Sequence, residues 1–93
     1  MKVVHVKHSP YTHYIGRTVR GYKGSPLRNP YKITDTCTRE EVIEKFEVYA
    51  RNNPVIMDLI RDLPAEAVLG CWCAPKHACH GDIIIKLWLE LHI

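Results

Sequence analysis

The segment Cys71-Trp72-Cys73-Ala74-Pro75-Lys76-His77-Ala78-Cys79-His80-Gly81-Asp82 holds three of the chain's four cysteines and two of its six histidines within ten residues. If a strand runs through Cys73, the two-residue period puts Cys71 and Cys73 on one face and Trp72 on the other. The turn that follows then brings Cys79 and His80 back to that face, at the start of a helix. A loop leading from a strand into a helix collects backbone amides and the positive end of the helix dipole, which suits an anion and favours a thiolate. Cys79 or Cys73 is then the nucleophile, His80 or His77 the base, and Lys76 a source of positive field. Asp82 completes the candidate catalytic set of Cys79, His80, Asp82 and Cys73, and serves equally well as a cap for the last helix.

The same side chains supply soft donors for a tetrahedral metal, with Cys71, Cys73, Cys79 and His80 or His77 as ligands and zinc as the ion. The spacing matches only in part, because structural sites usually separate paired ligands by two to four residues. A plainer role is also open, since free cysteine is among the most buried residue types and Cys71 and Cys73 fit a core. A Cys71–Cys73 disulfide would close a small strained ring and is not expected. Cys37 reads as a turn residue before a helix, and His92 as a helix-end residue.

A second group lies upstream. Tyr14-Ile15-Gly16-Arg17 and Gly24-Ser25-Pro26-Leu27-Arg28-Asn29-Pro30-Tyr31 combine pliable backbone, hydroxyl and amide donors, arginines and aromatic rings. Arg17 and Arg28 suit bidentate contact with phosphate, Ser25, Asn29 and the backbone at Gly16 supply donors, and Tyr14 or Tyr31 can stack on a base. Neither segment is a Walker or Rossmann glycine motif. Residues 1–33 carry seven basic side chains and no acid, hence +7, while residues 34–93 carry six basic and ten acidic, hence −4, within a net +3. That asymmetry calls for an anionic partner, a phosphate-bearing small molecule or a nucleic acid, unless the basic face pairs with the acidic helices of its own molecule.

The elements that must hold these groups follow from periodicity. Lys2 to Lys7 is a β-branched run and reads as a first strand. Ser9 to Pro30 is turn chemistry without a sustained period, so a long ordered binding loop is expected, followed by a brief strand at Tyr31-Lys32-Ile33. Thr38-Arg39-Glu40-Glu41 is a capping box that opens a helix ending at Asn52-Asn53, and Pro54 opens another that ends near Leu63-Pro64. Ala67 to Cys73 reads as a buried strand and Ile83 to Leu91 as a terminal helix. The order β-loop-(β)-α-α-β-α, with helices between strands, implies a small single α/β domain over residues 1–93. Its short, mostly parallel sheet is flanked by helices, and the first strand pairs with the Ala67 strand.

With 93 residues, 46% hydrophobic and 25% charged, a second domain, disorder and collagen-like or coiled-coil structure are poor fits. Apolar runs such as Ile83-Ile84-Ile85 are far short of the roughly 20 residues of a membrane span. No export leader is evident, so a cytoplasmic location with reduced or metal-bound thiols is expected.

The segments Tyr14-Ile15-Gly16-Arg17, Gly24 to Tyr31, Thr38 to Glu41, Leu69-Gly70-Cys71-Trp72-Cys73 and Cys79-His80-Gly81-Asp82 together resemble the domain-of-unknown-function family numbered 4326, across nearly the whole chain. The resemblance implies a small phage or prokaryotic protein, in the host cytoplasm if phage-encoded, and no assigned reaction. The spacing from Cys73 to Cys79 is similar to the phosphate-binding loop of tyrosine phosphatases and rhodanese-like proteins, which place arginine six positions after the cysteine. Cys79 stands there instead, which disfavours phosphatase chemistry. Two functions from different classes fit these residues. One is a pocket, formed by loop 14–31 and the turn 71–82, that binds and acts on a nucleotide or other phosphate-bearing ligand. The other is a zinc-stabilised phage module for nucleic acid or a host protein. A homodimer is compatible with both.

Overall fold

A computed structural model describes residues 1–72 and 79–93. The elements run β1 (Lys2–His5), β2 (His13–Tyr14), α1 (Arg39–Arg51), α2 (Pro54–Arg61), β3 (Val68–Cys71) and α3 (His80–Leu91). The sheet has the order β1-β3-β2 and both pairings are parallel, with Val3 and His13 each opposite Leu69. The α/β class and the pairing of the first strand with the one after Ala67 are therefore as expected.

Parallel neighbours usually need a crossover of a dozen residues or more. Residues 6–12 suffice here because β2 is only two residues long and pairs with β3 alone. That crossover passes directly over Gly70. A Cβ at this position would stand 2.7 Å from Tyr11 Cγ and 3.0 Å from Val6 Cγ1, so the strand must be bare where the chain crosses it. Leu69 and Cys71, on either side, join the core instead. Thr12 secures the far edge. Its amide donates to the Val68 carbonyl and its hydroxyl oxygen accepts from the Val68 amide, both at 2.9 Å.

Helix α1 begins as its capping box requires, with the Thr38 hydroxyl accepting from the Glu41 amide and the Glu41 carboxylate from the Thr38 amide. Its buried stripe is Val42, Phe46 and Ala50. Asn53 caps α2, Pro54 fills the first helical position, and Ile56 and Ile60 face inward. Helix α3 buries Gly81, Ile84 and Leu87 and packs against β1 as well as α1 and α2. The approach to β1 is close enough that a Cβ on Gly81 would meet Val3 Cγ2 at 2.8 Å. Ile15, Phe46, Ile60, Leu69, Ile84 and Leu87 form the centre of the core. On the surface Glu47 of α1 bridges Arg51 at 2.8 Å and Lys86 of α3 at 3.1 Å, and Arg51 also reaches Glu90 at 2.9 Å.

Four expectations need correction. Tyr31-Lys32-Ile33 is not a strand, because it is tied to α1 rather than to the sheet: the Tyr31 amide donates to Asn29 Oδ1, and Asn29 Nδ2 donates to the Val42 carbonyl. The second strand lies inside the expected loop, at His13–Tyr14. Strand β1 ends at His5 and β3 at Cys71, with Trp72 in a bend, so both are shorter than the apolar runs that suggested them. Helix α3 starts at His80 with Cys79 as its cap, which makes Asp82 an exposed first-turn acid and not the cap. Among the described residues no helix is long and apolar enough to cross a membrane.

Candidate functional site

Strand β3 ends at Cys71 and α3 begins at His80, so the centre of the sheet delivers the site. Cys71 and Cys79 are both 2% exposed, and their sulfurs lie 3.0 Å apart with the Cys79 thiol directed at Cys71. Cys79 Sγ also accepts from the Gly81 amide at 3.4 Å, the side-chain role of a helix cap. His80 follows with its Nδ1 3.6 Å from Cys79 Sγ. The other ring nitrogen, Nε2, faces the carbonyl oxygens of Ile15 at 2.9 Å and Leu27 at 3.1 Å. Carbonyls only accept, so Nε2 carries a proton, and the neutral ring presents Nδ1 to the thiol as an acceptor. Through this one side chain the start of α3 is fastened to the upstream loop at Ile15 and Leu27.

The loop is fastened a second time by Arg17. Its Nε donates to the Asn29 carbonyl at 3.2 Å and its Nη2 to the Tyr31 carbonyl. Tyr14 supports it from below, donating its hydroxyl to the Arg17 carbonyl at 2.6 Å and accepting from the Trp72 indole at 3.0 Å. Trp72 is 38% exposed and stands edge-on to Tyr22 and His5, with Lys7 Nζ 5.7 Å from its ring centroid.

Between the upstream loop, the end of β3 and the start of α3 lies a cleft of about 440 Å³. Gly16, Arg17, Asn29, Tyr31, Cys71, Cys79 and His80 line it, so seven of the residues singled out in the sequence come together there. Tyr14 supports the cleft without lining it. Ser25 and Arg28 turn toward their own loop, where Ser25 Oγ accepts from the Leu27 amide and Arg28 donates to the Ser25 carbonyl. Asp82 is exposed on the first turn of α3 and is not part of the lining. Cys73, Lys76 and His77 lie outside the described residues. Among the described residues no group of three or more His, Cys, Asp and Glu side chains is arranged to hold a metal ion.

Sequence reasoning missed Lys32, Arg39 and the apolar wall of Val19, Ile33, Val42 and Ile43. Arg39 could have been suspected, since the first residue after a helix cap projects near the loop that feeds it. Nothing local marks Lys32. The charge of the lining is one-sided: among the described residues it contains Arg17, Lys32 and Arg39 and no carboxylate. The cleft also sits just past the carboxyl ends of β2 and β3 and at the N-terminus of α3, where parallel α/β sheets generally bind ligands.

No curated protein and no solved structure matches this chain. A family described as domain of unknown function (DUF4326) matches residues 2–90, which include every described residue that lines the cleft. The chain therefore belongs to the DUF4326 family of domains of unknown function.

Proposed function

We propose that the cleft binds a nucleotide or a closely related phosphate-bearing ligand. The observation that carries this is the lining: among the described residues, three cations and no acid around an apolar wall, at the N-terminus of α3. The cations and the positive end of the α3 dipole take the phosphate, and Trp72 or Tyr31 takes the ring. A volume of about 440 Å³ falls within the roughly 300–1,000 Å³ typical of small-molecule sites. Cys79 is the nucleophile for thiol-dependent transfer or hydrolysis, and His80 Nδ1 accepts its proton.

Arg17 is a poor test residue because two backbone carbonyls already engage its guanidinium. Lys32→Gln and Arg39→Gln remove the other two cations among the described residues of the lining. In a fluorescence titration with nucleoside mono-, di- and triphosphates, each should weaken binding about tenfold, the value of one charge-assisted hydrogen bond. Millimolar nucleotide leaving the protein unbound, or both variants binding like wild type, would overturn the proposal. Repeating the titration with single-stranded polynucleotide at low and physiological salt separates the pocket from a nucleic-acid module, since multiple phosphate contacts weaken steeply with salt. Native mass spectrometry of the same protein tests the thiol chemistry, because one bound zinc that protects Cys71 and Cys79 from alkylation would contradict it.

A further inference from the structure

Cys71 and Cys79 come from different elements, yet their sulfurs are 3.0 Å apart at the floor of the cleft. Two thiolates on one tetrahedral zinc, each about 2.3 Å from the metal, lie about 3.8 Å apart. A disulfide needs about 2.05 Å. The observed separation is shorter than the metal edge and about 1 Å longer than a disulfide bond. Both residues are held in place, Cys71 by the β1-β3 ladder and Cys79 as the cap of α3. Both belong to the lining of the cleft, whose cationic walls suit an anionic disulfide, and each is only 2% exposed, so the exchange requires the disulfide to enter the cleft.

We infer that Cys71 and Cys79 form a redox-active dithiol that exchanges with low-molecular-weight disulfides of the glutathione class. The Cys79 thiol gives up its proton to His80 Nδ1 and its sulfur attacks one sulfur of glutathione disulfide. That S–S bond breaks and one glutathione thiolate leaves with the electron pair. Cys71, deprotonated in turn, attacks the Cys79 sulfur of the mixed disulfide, and a second glutathione thiolate leaves. The product is the Cys71–Cys79 bond, with two electrons passed from the protein to the glutathione disulfide. Oxidation ties the end of β3 to the start of α3 and removes the Cys79 thiol from the cleft, so the redox state decides whether thiol chemistry is available there. The exchange itself does not depend on the nucleotide proposal.

The test is to equilibrate the full chain in buffers of graded glutathione disulfide to glutathione ratio, quench with acid, alkylate under denaturing conditions and map the peptides. As the ratio rises, alkylated thiols should fall from four to two, with a Cys71–Cys79 linked peptide appearing while Cys37 and Cys73 remain labelled. Cys73→Ser should leave the linkage intact, and Cys71→Ser should halt at a glutathione adduct on Cys79. A Cys73-containing linkage, a persistent mixed disulfide in the wild type, or four labelled thiols at every ratio would overturn the inference. Because the wild-type map stands without any variant, a misfolded substitution leaves the result readable. Nucleotide titration of the reduced and oxidised forms reads the cleft separately.

Discussion

At His80 two backbone carbonyls decide what the ring can do. With Nε2 committed as a donor to Ile15 and Leu27, the nitrogen nearest Cys79 is the acceptor, so the order of residues 79 and 80 in the chain becomes a chemical pairing. Glycine at position 70 is equally constrained, and Gly70→Ala should cost roughly 1–3 kcal/mol, the usual penalty for overpacking. Urea denaturation checks this: the midpoint should fall with an unchanged slope, and an unchanged midpoint would mean that the crossover does not press on the strand. The convergence of Cys71 and Cys79 was legible because strand alternation and a helix start are both local signals. The role of Arg17 was not. It reads as a phosphate ligand, and its Nε and Nη2 also staple residues 29 and 31 through carbonyls that only the folded loop reveals.

At the scale of elements, helix boundaries were readable from capping chemistry. Thr38 with Glu41, and Asn53 with Pro54, each satisfy backbone donors that a helix start would otherwise leave open. Strand β2 gave no such sign, since two residues make no periodic pattern and its partner lies 56 residues on. The clamp between α1 and α3 carries its own pH dependence. Hydrogen bonds from Arg51 and then Lys86 hold the Glu47 carboxyl below its ordinary value of 4.5. A lowered folded value means that the stabilisation is complete above pH 4.5 and is lost as the pH falls through the depressed value. Glu47→Gln should therefore cost less than about 1 kcal/mol near neutrality, as befits an exposed network, and the difference from wild type should shrink in acid. Thermal melts at pH 7 and pH 3 check the sign, and a difference that grows in acid would contradict it.

For the whole molecule, the cleft draws its cations from both parts of the chain's charge division. Arg17 and Lys32 come from the basic first third, while Arg39 leads the acidic helix α1, and all three face one cleft. Composition predicted an anionic partner but not the third cation, which belongs to the acidic part of the chain. The two indoles provide a direct test of what that cleft does. Trp72 lines it, whereas the Trp88 N–H donates to the Leu63 carbonyl at 2.8 Å, away from the site. Both give resolvable side-chain signals in a proton–nitrogen correlation spectrum. On titration with a nucleoside triphosphate at physiological salt, the Trp72 indole and the Gly16 and His80 amides should shift and saturate together while Trp88 stays fixed. Shifts confined to residues outside the cleft, or no shift at millimolar nucleotide, would contradict the cleft as a nucleotide site.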